Sequence, residues 1–264
     1  IVPEDTVQIH PQIKEMESKM KRYSIIGFLA AILILSACRQ NAQVTQETEV
    51  PGLTRSPVGE RQQLFNGSDL EGWEHIGPGR VYVEDGLMKT EGGMGLLWYT
   101  REKFGDCTIR VVYTTTSVND NSGIFIRIPN PPKDPWQAVN TGFEIQIQAS
   151  WPEETHERSE HQRTQGDDWH LTGAIYSLSK AEKQVQKPAG EWNTMEITLD
   201  DDRTIIHLNG EKVNDYLDMT RVPLRQHDYE PIRGPRPREG YIGVQNHHEP
   251  QTVHYKEISV VRNK

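Results

Sequence analysis

Asn121-Ser122-Gly123-Ile124-Phe125-Ile126-Arg127-Ile128 and Gly142-Phe143-Glu144-Ile145-Gln146-Ile147-Gln148 decide the reading of this chain. Both runs alternate with a period of two, the spacing of side chains on opposite faces of an extended strand. In the first, Ile124, Ile126 and Ile128 fall on one face, with Phe125 and Arg127 on the other. In the second, Phe143, Ile145 and Ile147 oppose Glu144, Gln146 and Gln148. Tyr241–His247 repeats the pattern, with Ile242 and Val244 opposing Tyr241, Gln245 and His247. Each strand therefore carries an apolar face for an inter-sheet core. Each also carries a second face of amides, carboxylate, cation and aromatics. Fixed amides and carboxylates of this kind suit sugar hydroxyls, and aromatic rings suit the apolar faces of sugar rings.

Further short runs of β-branched and aromatic residues lie at Val81–Val83, Thr108–Thr115, Thr172–Leu178, Thr194–Leu199, Thr204–Leu208 and Val253–Val261. Turn sequences such as Asp85-Gly86, Asn119-Asp120-Asn121, Asp200-Asp201-Asp202 and Asn209-Gly210 separate them. No helical period of three turns follows residue 60. Roughly ten to thirteen short strands without crossover helices predict an all-β, two-sheet antiparallel sandwich. Three long irregular segments, 129–140, 150–171 and 222–239, carry prolines, tryptophans and arginines, and long loops of this kind serve as walls or lids of sites.

The N-terminal part reads differently. Lys21 and Arg22 precede an apolar run from Ile25 to Leu35, and Leu35-Ser36-Ala37-Cys38 follows. This resembles a bacterial lipoprotein signal peptide (20–37) with Cys38 as the lipidated residue. The apolar run is shorter than the roughly 20 residues a spanning helix needs. The expectation is an exported protein of the cell envelope, anchored to the membrane only through its N-terminal lipid. Arg39 stands where an inner-membrane retention aspartate would, which favours the outer membrane. Residues 1–19 have no pattern of their own. They read as an upstream extension that is not translated, an expectation a native peptide from this stretch would overturn. Residues 38–62 read as a polar tether, and 63–264 as one β-sandwich domain. With Cys38 lipidated, Cys107 has no disulfide partner and reads as a buried strand residue. The net charge of −9 argues against nucleic acid as a partner.

Several motifs together resemble one family. They are Leu64-Phe65-Asn66-Gly67 with Asp69-Leu70 and Gly72-Trp73, then Val83-Glu84-Asp85-Gly86, Asn121-Ser122-Gly123-Ile124 with Arg127, and Gly142-Phe143-Glu144-Ile145-Gln146-Ile147. Thr172-Gly173-Ala174-Ile175-Tyr176, Gly190-Glu191-Trp192-Asn193, Leu208-Asn209-Gly210 and Gly240-Tyr241-Ile242-Gly243-Val244-Gln245-Asn246-His247 complete the series. In order and spacing the chain is similar to the 3-keto-disaccharide hydrolase family. That resemblance implies the jelly-roll fold of the concanavalin A-like lectins and glucanases. It also implies cleavage of glycosides already oxidised to a ketone at C3. Such a ketone acidifies the C2 proton, so a base removes it and the C1 substituent leaves by elimination; water then adds for net hydrolysis. The chemistry needs a base, a donor or a metal at the enolate oxygen, and an acid for the leaving group.

On this reading the candidate catalytic residues are Glu144, His247 and Arg127. Asn121, Gln146, Gln148, Tyr176, Gln245 and Trp98 are candidates for substrate binding. Tyr176 and Trp98 are read as stacking surfaces, although a core role is equally ordinary for both. Arg127 has three open roles: binding a carboxylate, donating to the enolate oxygen, or pairing with Glu144. His247 reads as a base or a metal ligand. The metal itself is left open: His156, His161 and His170 with Glu157 and Asp168 are either divalent-metal ligands or part of a solvated acidic loop. Gln146 and Gln148 stand where glucanases of this fold carry further acids, so the carboxylate pair of an ordinary retaining glycosidase is missing from this strand. The alternative function is a non-catalytic carbohydrate-binding lipoprotein.

Overall fold

The computed structural model describes residues 57–148, 169–248 and 252–264. The signal sequence, Cys38, most of the tether, and His156, Glu157, His161 and Asp168 lie outside the described residues. Among those described, no helix is long and apolar enough to cross a membrane.

Among the described residues, thirteen strands and one short helix are formed. The strands are β1 (Arg61–Gln63), β2 (Trp73–Ile76), β3 (Arg80–Glu84), β4 (Leu87–Glu91), β5 (Gly95–Tyr99), β6 (Cys107–Thr115) and β7 (Asn121–Ile128). After the helix α1 (Pro135–Thr141) come β8 (Phe143–Gln148), β9 (Asn193–Asp200), β10 (Arg203–Leu208), β11 (Glu211–Leu217), β12 (Tyr241–Asn246) and β13 (Val253–Arg262). The larger sheet runs β11-β10-β9-β6-β13-β4-β3, with β1 also paired to β13; the smaller runs β2-β5-β12-β7-β8. The pairings are antiparallel, giving the expected two-sheet jelly-roll sandwich. β13, which follows all of its neighbours in the chain, is bonded to β6 on one side and to β4 and β1 on the other.

Alternation builds the core. Ile109, Val111 and Tyr113 of β6, Ile197 of β9 and Ile258 of β13 meet Ile124, Ile126, Phe143, Ile145, Ile147, Ile242 and Val244 of the smaller sheet. Each such side chain, fully buried, contributes about 1.5–3 kcal/mol. Tyr255 of β13 reaches across the core, its hydroxyl 2.6 Å from Ser122 Oγ. Cys107 is buried in β6. The outer face of the smaller sheet has two halves. One is apolar: Leu96, Trp98, Phe125 and Ile128 pack with Ala138 and Val139 of α1. The other is polar and holds the candidate site.

Two expectations about strands are corrected. Thr172–Leu178 is not a strand. Gly173 (φ 90°) and Ser177 (φ 57°) adopt left-handed backbone, which breaks the extended run and leaves only isolated bridges at Ile175. Ile128 does not share a face with Ile124 and Ile126. Arg127 has φ 56°, and the β7–β12 register slips between Tyr241↔Ile128 and Gly243↔Phe125. That is a β-bulge, which turns the side chains after it to the other face. Pairing also starts at Arg61, and Gly59 already donates to the Arg262 carbonyl at 3.0 Å.

Candidate functional site

The register places the polar side chains in rows across β12, β7 and β8. Phe125 pairs with Gly243 and Glu144, so Glu144 shares a row with a glycine. In the next row Gly123 pairs with Gln146, and continuing the register brings Gln245 opposite Gly123. Beyond it Asn121 pairs with Gln148, and His247 continues from the end of β12 on the same side. A Cβ on Gly123 would lie 2.5 Å from Glu144 Oε1, so the carboxylate leans over the gap that glycine leaves.

Glu144 is the single carboxylate on β7, β8 and β12, and only 7% of it is exposed. Burial pushes its carboxyl up to about 8, and the neighbouring Gln245 side chain offsets only part of this. Gln146 and Gln245 are 2% and 6% exposed. The Gln146 Nε2 donates to Asn121 Oδ1 at 2.8 Å, which fixes the amide. The Oε1 atoms of both glutamines are buried acceptors without a hydrogen-bond partner. Buried unpaired acceptors of this kind are costly unless a ligand donates to them.

The segment after residue 170 runs along the open edge of β8. Gln146 N–H donates to the Ala174 carbonyl, Gly173 N–H to that of Gln146, and Tyr176 N–H to that of Glu144, all at 2.9–3.0 Å. Thr172 closes the far end, its hydroxyl 2.8 Å from the Gln148 carbonyl. Tyr176 thus sits directly beside Glu144, half-buried and stacked on His170 with ring centres 5.0 Å apart. Its hydroxyl is raised well above the ordinary value near 10, by burial first and then by the charges of Glu144, Tyr229 and Glu230. It is a proton donor at any physiological pH.

Of the expected site residues, the sheet brings together Glu144, Gln146, Gln148, Asn121, Gln245 and Tyr176. His247 shares the face but stands at its rim, two residue pairs or roughly 13 Å along the strand from the Glu144 row. Its ring packs against His248. Arg127 and Trp98 are corrected. The bulge turns Arg127 away, and its guanidinium donates to the carbonyls of Asp201 (2.6 Å), Arg203 (3.3 Å) and Pro237 (3.3 Å). It is a buried clamp on the β9–β10 turn and does not meet Glu144. Trp98 lies in the apolar cluster under α1 with 5% exposure, edge-on to Tyr241, and offers no open ring face. Sequence reasoning did not single out Gly123, whose missing Cβ seats the carboxylate. It also passed over Glu230, whose charge reaches Tyr176; four arginines and Tyr229 in 222–239 were the available signal.

Among the described residues, no three His, Cys, Asp or Glu side chains are placed to hold a metal ion. The described face offers one carboxylate, one rim imidazole and neutral amides, which is short of a metal-ligand set.

Residues 60–261 match the model of the 3-keto-alpha-glucoside-1,2-lyase-like domain. The chain belongs to that family. It is thereby a carbohydrate-active protein. No curated protein matches the chain. A candidate glycosyl hydrolase from Parabacteroides distasonis superposes with a TM-score of 0.59 at 23% identity, over 77% of this chain and 99% of its own. A Bacillus subtilis protein of unknown function with a galectin-like fold superposes with a TM-score of 0.53 at 14% identity, over 79% of this chain and 99% of its own. At these identities the likeness concerns the fold, and it sets the family's sandwich among the lectin-like jelly rolls.

Proposed function

We propose that this family member cleaves 3-keto-glycosides by elimination at C2 and C1 followed by hydration, with Glu144 as the base. The observation that carries the reading is the lone carboxylate seated over Gly123, desolvated and flanked by unpaired amide acceptors. A retaining glycosidase needs a second carboxyl about 5–5.5 Å away. The strands around Glu144 supply none. An elimination needs one strong base, and burial makes this carboxylate more basic than an exposed one.

In the proposed sequence, Glu144 takes the proton from C2, and the electron pair moves onto the C3 ketone oxygen as an enolate. The enolate re-forms the ketone as the C1–O bond breaks, leaving a C1–C2 double bond. The departing oxygen takes a proton, for which Tyr176 is the adjacent donor. Water then adds at C1, its proton restoring Tyr176, and Glu144 returns its proton to C2, which completes a net hydrolysis. Gln146 and Gln245 accept from sugar hydroxyls, while Asn121 fixes the Gln146 amide.

The test is turnover of 3-keto-trehalose or methyl 3-keto-α-glucoside, followed by release of the leaving group. Wild-type protein turns these over and the parent glycosides not at all; Glu144→Gln loses at least a hundredfold in kcat. Sugar binding without turnover in the wild type would replace the enzyme with a carbohydrate-binding protein.

A further inference from the structure

Tyr176 is presented by a tight turn outside the named strands. Ile175 N–H donates to the Ser179 carbonyl (3.0 Å) and Ser179 N–H to that of Ile175 (2.9 Å), with Leu178 N–H on the same Ile175 oxygen (2.8 Å). Tyr176 is the first residue inside this closure, and Ser177 turns the backbone with φ 57°. Two edge strands hold the turn. On one side are Glu144 and Gln146 of β8, through the backbone bonds described above. On the other is β11, at the edge of the larger sheet, whose Val213 carbonyl accepts from Glu182 N–H at 2.7 Å.

One side chain of β11 spans the turn. Asn214 is 1% exposed. Its Nδ2 donates to the carbonyls of Gly173 (3.1 Å) and Ser179 (3.3 Å), and its Oδ1 accepts from Ser179 Oγ (2.8 Å). The amide thus uses both of its N–H groups and its oxygen. Two carbonyls demand N–H donors, so aspartate, near in size but without donors, cannot replace it. A bulge aims the amide. Asn214 pairs with Ile206 and Lys212 with His207, which leaves Val213 as an extra residue, and Val213 and Asn214 are buried in succession. Val213 also fits against Gly173, where a Cβ would lie 2.5 Å from Val213 Cγ2. Gly173 before Tyr176 and Ser179 after it are therefore fixed from the same two residues of β11.

A phenol that protonates a leaving oxygen must stand within hydrogen-bond reach of it, and a misplacement of about 1 Å costs on the order of a hundredfold in rate. We propose that Asn214 is a positioning residue for Tyr176, holding both ends of its turn so that the phenol meets the departing oxygen. The assignment rests on the lyase reading above, with Tyr176 as the proton donor, and names a residue that acts through it.

The test compares two substrates that differ in their need for that proton. Methyl 3-keto-α-glucoside releases an alkoxide, which needs it; 4-nitrophenyl 3-keto-α-glucoside releases a stabilised phenolate, which does not. Tyr176→Phe is the reference: kcat falls about a hundredfold on the methyl glycoside and stays within about threefold on the aryl glycoside. Asn214→Ala reproduces this split, with a loss of about ten- to a hundredfold on the methyl glycoside and KM within about twofold on both. Added to Tyr176→Phe, it costs little more on the methyl glycoside, because the two side chains act as one unit. Ser179→Ala removes one of the three bonds and shows a smaller split of the same kind; it decides the matter should Asn214→Ala fail to fold. Beside a clear split in Tyr176→Phe, equal losses on both substrates in these variants, or no losses, overturn the positioning role. No split in Tyr176→Phe removes the donor assignment, and the role of Asn214 with it. Wild-type protein that turns over neither substrate overturns the lyase reading itself.

Discussion

Glu144 shows how one residue's surroundings set both its chemistry and its cost. Its carboxyl ionises near 8 in the folded protein against an ordinary value near 4.5. Between those values the unfolded chain has released a proton that the native state keeps. Stability therefore falls as pH rises, by about 1.4 kcal/mol per pH unit over that window. Glu144→Gln is expected to match the wild type in Tm at pH 4 and to exceed it at pH 8. Parallel Tm–pH curves for the two proteins would contradict the buried-acid picture. The same ionisation fixes the activity profile: as a base Glu144 gives a kcat/KM that rises with pH up to about 8, whereas an acid role gives a fall. Much of this site was legible as sequence, because Glu144, Gln146, Gln148 and Gln245 follow from period-two alternation alone. The unpaired glutamine oxygens and the seat over Gly123 were not, since they depend on which strands become neighbours.

At the level of elements, β7 explains the main misplacement. Strict alternation put Arg127 beside Phe125, facing Glu144, but a left-handed residue at 127 inserts a bulge and sends the guanidinium to the β9–β10 turn. No local pattern marks that bulge, because the partner it serves lies some 75 residues on. Arg127→Met takes the guanidinium donor from three carbonyls, those of Asp201, Arg203 and Pro237, and empties a fully buried site. It is expected to cost about 2–4 kcal/mol, or roughly 5–15 °C in Tm for a domain of this size. Catalytic turnover per folded molecule should be unchanged, and a selective loss of kcat with normal Tm would return Arg127 to the active site. Other strands escaped the sequence reading for separate reasons. β5, Gly95–Tyr99, is buried on both faces and shows no alternation. β2 has four residues, and β11 opens with exposed Glu211 and Lys212. Thr172–Leu178 had strand composition, yet its left-handed Gly173 and Ser177 make it an edge cover for β8.

Across the whole molecule, the two sheets close a single core that leaves Cys107 no access to solvent. Burial pushes its thiol up to about 12, so almost no thiolate exists at neutral pH. In a Cys38→Ser background, where Cys107 is the only thiol, labelling by a disulfide reagent should proceed at the rate of global unfolding. Its rate should rise with denaturant in step with the loss of β-sheet signal. Fast labelling under native conditions would mean that the sandwich opens locally at β6. The two-layer architecture was readable from strand density and the lack of helical period; the order of strands was not, because partners far apart in sequence define it. Here β13 carries a consequence of its own. The strand joining β6 to β4 and β1 is the last of them to leave the ribosome, so a nascent chain holds the larger sheet as three unjoined pieces: β11-β10-β9-β6, β4-β3 and β1. Until β13 emerges, the larger sheet lacks the strand that joins its parts, and its assembly has to wait for that strand.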